Sequence, residues 1–269
     1  MELLELFHYG FLQRAFFAGT FVAISCSVLG LFLVLRKMSL IGDGLSHVSF
    51  GAIALGLFFG FSPIYVSIPL VVASSVIILK ISEKARVYGD AAIGIVSAVG
   101  IAGGVLFTSL SHGFNVSLLN YLFGNILAIS TSEAILSGVL SLVILATIFL
   151  FYWDLFSATF DEEYAKTTGI KTNFINMLLT ILTAITVVLS IKVVGVMLIS
   201  ALLIFPAITA LQISKKFKNA LFSACFISFS SVFFGIICSF LLDLPTGAVI
   251  VMINAIFFIT ALLCKKMTS

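Results

Sequence analysis

Asp43 and His47 stand four residues apart in the stretch Arg36-Lys37-Met38-Ser39-Leu40-Ile41-Gly42-Asp43-Gly44-Leu45-Ser46-His47-Val48-Ser49-Phe50-Gly51, which leads into a long hydrophobic run. Four residues is about one helical turn, so the two side chains share a face. An ionisable group at bilayer depth costs roughly 2.5–3.5 kcal/mol on insertion scales, so such groups usually face a bundle interior or a water-filled path. A carboxylate oxygen beside an imidazole nitrogen makes a way-station for a divalent transition metal. The competing use of the same pair is structural, a buried ion pair or hydrogen bond that holds two helices together. His47 ligates only when neutral, so acid conditions are expected to weaken metal passage.

The elements that must position this pair are membrane helices. Hydrophobic residues make up 61% of the 269-residue chain and charged residues only 9%, against about 25% charge in an ordinary soluble domain. The mean hydropathy is +1.28. Nine spans are expected, at 11–35, 40–60, 62–80, 91–111, 133–153, 173–191, 193–213, 220–241 and 246–264, all in a single transmembrane domain covering residues 1–269. Pro69 and Pro206 fall within spans and are expected to kink them. The segment 115–130 is too short and polar to span and reads as a short external or re-entrant helix.

Charge sets the orientation. With the loop after the first span in the cytoplasm, twelve Lys and Arg residues fall on that side, and only Arg14 and Lys192 fall outside. This positive-inside bias predicts an external N-terminus and a cytoplasmic C-terminus. The net charge of +3 forms no basic stripe interleaved with aromatics, so nucleic acid is not an expected partner. Cys26, Cys225, Cys238 and Cys264 lie in or at the end of apolar runs without a CxxC pair, and read as small buried hydrophobes. Acidic Glu2 and Glu5 in place of a basic n-region argue against a cleavable signal.

One sizeable cytoplasmic loop is expected, at 154–172. Thr159 or Asp161 can cap a short helix at about 161–168, with acidic residues in its first turn and Gly169 as its stop. Glu163-x-Ala165-x-x-x-Gly169 resembles the loop by which many ATP-driven permeases dock on their ATPase. The plain alternative is an ordinary solvated turn.

Four segments together resemble the membrane permease of bacterial ABC-type metal importers, the zinc/manganese/iron family. They are Arg36 through His47, Tyr121-Leu122-Phe123-Gly124-Asn125-Ile126-Leu127, Phe160-Asp161-Glu162-Glu163-Tyr164-Ala165, and Val194-Gly195-Val196-Met197-Leu198-Ile199-Ser200-Ala201-Leu202-Leu203-Ile204-Phe205-Pro206-Ala207. The resemblance implies an all-α polytopic membrane protein with the large-permease importer fold shared with cobalamin and siderophore systems. It implies a location in the bacterial cell membrane. It further implies a homodimer served by two cytoplasmic ATPases and an extracytoplasmic metal-binding protein, with no permanently bound cofactor. The family's pore-facing acid and imidazole fall on Asp43 and His47. Asp161, Glu162, Glu163, Ala165 and Gly169 fall in the ATPase coupling loop. The wording around Asp43 and Tyr121–Leu127 is closer to zinc permeases than to manganese ones. Manganese or iron remains the alternative cargo.

The residues agree on a missing engine. No Gly is followed by Lys, so the chain has no P-loop and is not itself an ATPase. Two-fold symmetry would bring two Asp43 and two His47 to one axis, four mixed O and N ligands suited to a bare ion and poor for a bulky chelate. Gly42, Gly44 and Ser46 are small enough to let helices approach closely there. Asp90 and Glu133 are expected to N-cap their spans, Lys192 to snorkel to the outer interface, and Asp243 to sit in an external turn. His8 and His112 read as external loop residues. Three rivals stand beside this reading: a metal-chelate permease of the same fold, an ion-coupled secondary carrier, and an intramembrane metalloprotease. The last lacks any H-E-x-x-H motif.

Overall fold

The computed structural model describes residues 9–84, 89–111 and 116–268; His8, Arg86 and His112 lie outside this range. The described residues are helical almost throughout. The order is α1 (Gly10–Leu35), α2 (Ile41–Phe58), α3 (Pro63–Lys84), α4 (Gly89–Leu110), α5 (Val116–Phe123), α6 (Thr131–Leu150), α7 (Tyr152–Phe160), α8 (Glu162–Thr167), α9 (Thr172–Val194), α10 (Ile199–Ile213), α11 (Phe217–Leu242) and α12 (Thr246–Thr268). Single 3₁₀ turns at Ile126–Ala128 and Val196–Leu198 lead into α6 and α10. Apolar runs of this length have to form helices, because a backbone in hydrocarbon satisfies its N–H and C=O groups only internally.

Eight of these helices are long and apolar enough to cross a membrane. The seventh expected span, 193–213, is built differently. The chain leaves α9 at Gly195 and makes a 3₁₀ turn, and only Ile199–Ile213 continues as α10. Fifteen residues rise about 22 Å, short of a hydrocarbon core of about 30 Å. The cause is Gly195 itself, at φ +85°. A Cβ there would overlap the backbone of Phe123 and Gly124, and Gly124 is also at positive φ, +75°. Two glycines from distant motifs thus let two backbones cross in direct contact.

α1 and α9 form the buried centre of the bundle. α1 packs on α11, α10, α6 and α9, and α9 also packs on α3. α2 lies against α4 and α3, and the α2–α4 pair runs parallel: Gly44 meets Ile93, and Gly51 meets Gly100. Gly42 abuts the Leu203 side chain of α10, so the small residues beside Asp43 do allow the close approach expected of them. α4 and α12 present broad apolar faces away from the bundle, through side chains such as Val99, Leu106, Met252 and Ile256.

Several polar residues sit otherwise than expected. Ser130, not Glu133, caps α6; Glu133 is its third residue and closes a capping box, its carboxylate accepting from the Ser130 amide at 3.0 Å. The longer acidic side chain reaches back to a cap that a Ser hydroxyl fills more compactly. Lys192 does not snorkel freely: its Nζ pairs with Glu133 Oε1 at 3.0 Å and lies 4.4 Å from the centre of the Tyr121 ring. Asp90 lies within the first turn of α4, as its second residue. Asp243, by contrast, does lie in a turn, between α11 and α12, in the left-handed conformation, φ +52°.

Candidate metal path and coupling loop

α2 is buried on nearly every side. Up to Leu55, its partly accessible residues are Asp43, His47, Gly51 and Leu55, a line with a strict four-residue step. Such a line is one face of one helix. The acid and the imidazole therefore occupy the open seam of an otherwise enclosed helix. Their side chains are 51% and 27% accessible, so they are neither sealed in the core nor fully solvated.

Within this seam Asp43 Oδ2 lies 3.6 Å from His47 Nε2. The other carboxylate oxygen is occupied: Ser200 Oγ donates to Asp43 Oδ1 at 2.9 Å. Ser200 belongs to the first turn of α10, just past the Gly195 break, so that break sets the height at which its hydroxyl meets α2. Sequence reading missed Ser200. It sits inside a stretch noted for resemblance, but nothing in its spacing ties it to residue 43. Ser46 Oγ turns inward and donates to the Asp43 carbonyl at 2.7 Å, so it steadies the helix rather than the seam.

The chemical capacity of the pair follows from its spacing. Two ligands about 2.1 Å from one ion at a tetrahedral angle stand about 3.4 Å apart. Asp43 Oδ2 and His47 Nε2 are close to that separation, with Oδ1 held out of the way. Among the described residues no cluster of three or more His, Cys, Asp or Glu side chains exists. The pair supplies two donor atoms, fewer than a full coordination shell requires.

The expected coupling segment forms two short helices. α7 begins already at Tyr152, so residues 152–160 are helical rather than loop. Asp161 is extended and caps α8, its Oδ1 accepting from the Tyr164 amide at 2.9 Å. α8 stops at Thr167, and just beyond it Gly169 takes φ +87° while the Ile170 amide reaches back to the Ala165 carbonyl at 3.0 Å. That glycine-capped closure is how helices commonly stop. Ala165 is fully buried, whereas Tyr164 and Glu163 point outward. Lys166 Nζ sits 3.3 Å from Glu162 and 3.0 Å from Glu163, and these hydrogen bonds raise its pKa above the usual lysine value. The pattern Glu163-x-Ala165-x-x-x-Gly169 thus divides into an outward acid, an inward anchor and a stop.

An all-helical, multi-span chain with an acid–imidazole pair along one open helix seam and an acidic knob at one end of the bundle has the form of a transporter's membrane subunit. A profile described as the ABC 3 transport family matches residues 8–265. The chain is 35% identical to the probable iron transport system membrane protein of Haemophilus influenzae, over 98% of this chain and 97% of that one. It is 33% identical to the manganese transport system membrane protein MntC of Halalkalibacterium halodurans, over 96% and 88%. It is 32% identical to the high-affinity zinc uptake system membrane protein ZnuB of Haemophilus influenzae, over 94% and 97%. The solved structure of PsaBC from Streptococcus pneumoniae in complex with Fab superposes with a TM-score of 0.85 at 30% identity, covering 95% of this chain and 92% of that one.

The chain belongs to the ABC-3 transport family. It is a metal-transport permease subunit of the bacterial inner membrane, with the importer-permease fold.

Proposed function

We propose that this chain works as a symmetric pair and carries a bare divalent transition metal inward, with zinc as the preferred ion. Asp43 and His47 of each copy line the two-fold axis and hand the ion across. The observation that carries this reading is the seam: the acid and the imidazole sit on the open line of a helix buried elsewhere, 3.6 Å apart. Two ligands per chain make an incomplete shell, and a symmetric partner supplies two more. A transient site of this kind binds strongly enough to admit an ion and weakly enough to release it.

The preference for zinc rests on ligand type: imidazole nitrogen favours zinc over manganese in the general order of affinities. Manganese is the second reading, favoured by the name of the Halalkalibacterium relative.

Energy enters through a partner ATPase docked on Asp161, Glu162 and Glu163, with Ala165 and Gly169 shaping the knob. On this reading one ATPase sits under each copy, in the cytoplasm, with the chain's N-terminus outside and its C-terminus inside. The Lys and Arg bias supports that orientation. A metal-binding protein delivers the ion from outside, where Asp243 lines an open pocket with Asn120, Asn125 and Thr246.

The test is metal uptake in cells whose own chain is replaced by Asp43→Ala or His47→Ala, with dimer assembly checked by cross-linking. Both variants are expected to assemble and to lose most zinc uptake; full uptake in both sinks the proposal. Competition between zinc and manganese in the unaltered chain decides the cargo. Uptake that persists without the ATPase would make the chain a secondary carrier instead.

A further inference from the structure

Arg36 is the first residue beyond α1, and its guanidinium ties the end of that helix to two others through three acceptors. Nε donates to Thr159 Oγ1 at 3.2 Å and Nη2 to the Ala158 carbonyl at 2.8 Å, both at the end of α7. Nη1 donates to Asn176 Oδ1 at 2.6 Å, in the first turns of α9. All three acceptors are neutral. Among the described residues no carboxylate lies within ion-pair distance of Arg36. Burial pulls its pKa below the usual arginine value while the charge of Glu162 opposes that shift; a guanidinium remains charged regardless.

On one side of this fork stands the acidic knob. Ala158 and Thr159 lie three and two residues before Asp161, so the acceptors of Arg36 are within three residues of the cap of α8. On the other side stands the metal helix. The turn from α1 to α2 is closed by Lys37 N–H to Val34, Met38 N–H to Leu33 and Ile41 N–H to Met38, at 3.1, 2.9 and 3.1 Å. Lys37 takes the left-handed conformation, φ +58°, to make that closure. A turn so pinned moves as a unit with the first turn of α2, which contains Asp43. Neutral acceptors also suit a moving joint. A planar fork can exchange one partner while holding the others, whereas a buried ion pair would lock.

We propose that Arg36 is the positioning residue that transmits movement of the Asp161–Gly169 knob to α2 and so to the Asp43–His47 pair. This rests on the reading that the knob docks an ATPase. Arg36 touches neither metal nor nucleotide; it sets whether ATP hydrolysis moves the seam.

The experiment reconstitutes the chain with its ATPase in vesicles and reads zinc uptake and ATP hydrolysis together. Arg36→Met keeps the apolar stem and removes the fork. Hydrolysis is expected to stay within about twofold of the unaltered complex while uptake falls tenfold or more. Asn176→Leu and Thr159→Val are expected to lower uptake per ATP by about two- to fivefold each, and to add little on top of Arg36→Met. They read the same ratio if Arg36→Met fails to fold. Arg36→Lys retains the charge without the fork and is expected to restore only part of the ratio. An unchanged uptake-to-hydrolysis ratio in Arg36→Met, or uptake and hydrolysis falling in step, overturns the proposal. The charge reversals Asp161→Arg and Glu163→Arg, read by co-purification of the ATPase, test the docking reading separately. A complex that still assembles with both reversals overturns that reading and this proposal with it; lost assembly there beside an unchanged ratio in Arg36→Met overturns this proposal alone.

Discussion

Ser200 and Asp43 are joined by a hydrogen bond of 2.9 Å between residues 157 apart in sequence, and that bond fixes which carboxylate oxygen faces His47. Hydrogen bonds to charged groups contribute about 1.5–3 kcal/mol. With the Asp43 side chain half accessible, water replaces part of this, and about 1 kcal/mol is a fair figure. Ser200→Ala is therefore expected to raise the KM for metal uptake about fivefold. The maximal rate should change little, because Asp43 is still present but less well aimed. Ser200→Thr keeps the hydroxyl and should restore KM. A KM unchanged in Ser200→Ala removes Ser200 from the site.

The Lys192–Glu133 pair fastens the end of α9 to the start of α6, with Tyr121 of α5 beside the ammonium. Both side chains are largely covered, at 19% and 23% accessible. Removing one partner strands the other, so Lys192→Met is expected to destabilise by about 1–3 kcal/mol, between the surface and fully buried cases. Pairing it with Glu133→Leu should recover most of that loss. Thermal unfolding of the detergent-solubilised chain measures both; a double variant no better than the single one would rule out a paired role.

Gly195 combines a positive φ with a backbone crossing at Gly124. A methyl group cannot be accommodated by a side-chain shift there, since what it meets is main chain. Gly195 pairs φ +85° with ψ 157°, a backbone region held essentially by glycine alone, so Gly195→Ala is expected to cost more than the roughly 1–3 kcal/mol of that strain. It should also displace Ser200, five residues on. The measurable result is a drop in midpoint temperature together with the raised KM of Ser200→Ala. A variant that loses stability but keeps its KM would uncouple the crossing from the seam.

The parts of this molecule legible in sequence are those set by local physics. Uncharged runs between clustered charges fixed the helices, and a four-residue step placed Asp43 and His47 on one face. Asp161, the acidic turn and Gly169 announced α8 almost to the residue. What escaped was non-local. The Val193–Met197 stretch is apolar throughout, so hydropathy reads it as the start of a span; only the approach of Gly124, far away in sequence, explains the break at Gly195. Ser200, Arg36 and the Glu133–Lys192 pair share this character. Each owes its role to a partner that no periodicity points to.

The Asp161–Gly169 knob separates buried residues that shape it from exposed ones that the proposed ATPase would meet, and the two sets should respond oppositely to substitution. Ala165 is fully buried, with its carbonyl closing the α8 stop. Ala165→Glu forces an unpaired charge into that space and is expected to destabilise α8 by at least 3 kcal/mol. Amide exchange at Tyr164 through Thr168 should then accelerate even without any ATPase present. Glu163 is 87% accessible and shares Lys166 with Glu162, so Glu163→Ala removes little from the fold, as is usual for an exposed pair. Its amide exchange should match that of the unaltered chain, and only ATPase capture should weaken. If Glu163→Ala instead loosened α8 as much as Ala165→Glu, the acid would be part of the knob's scaffold and a different surface would have to receive the ATPase.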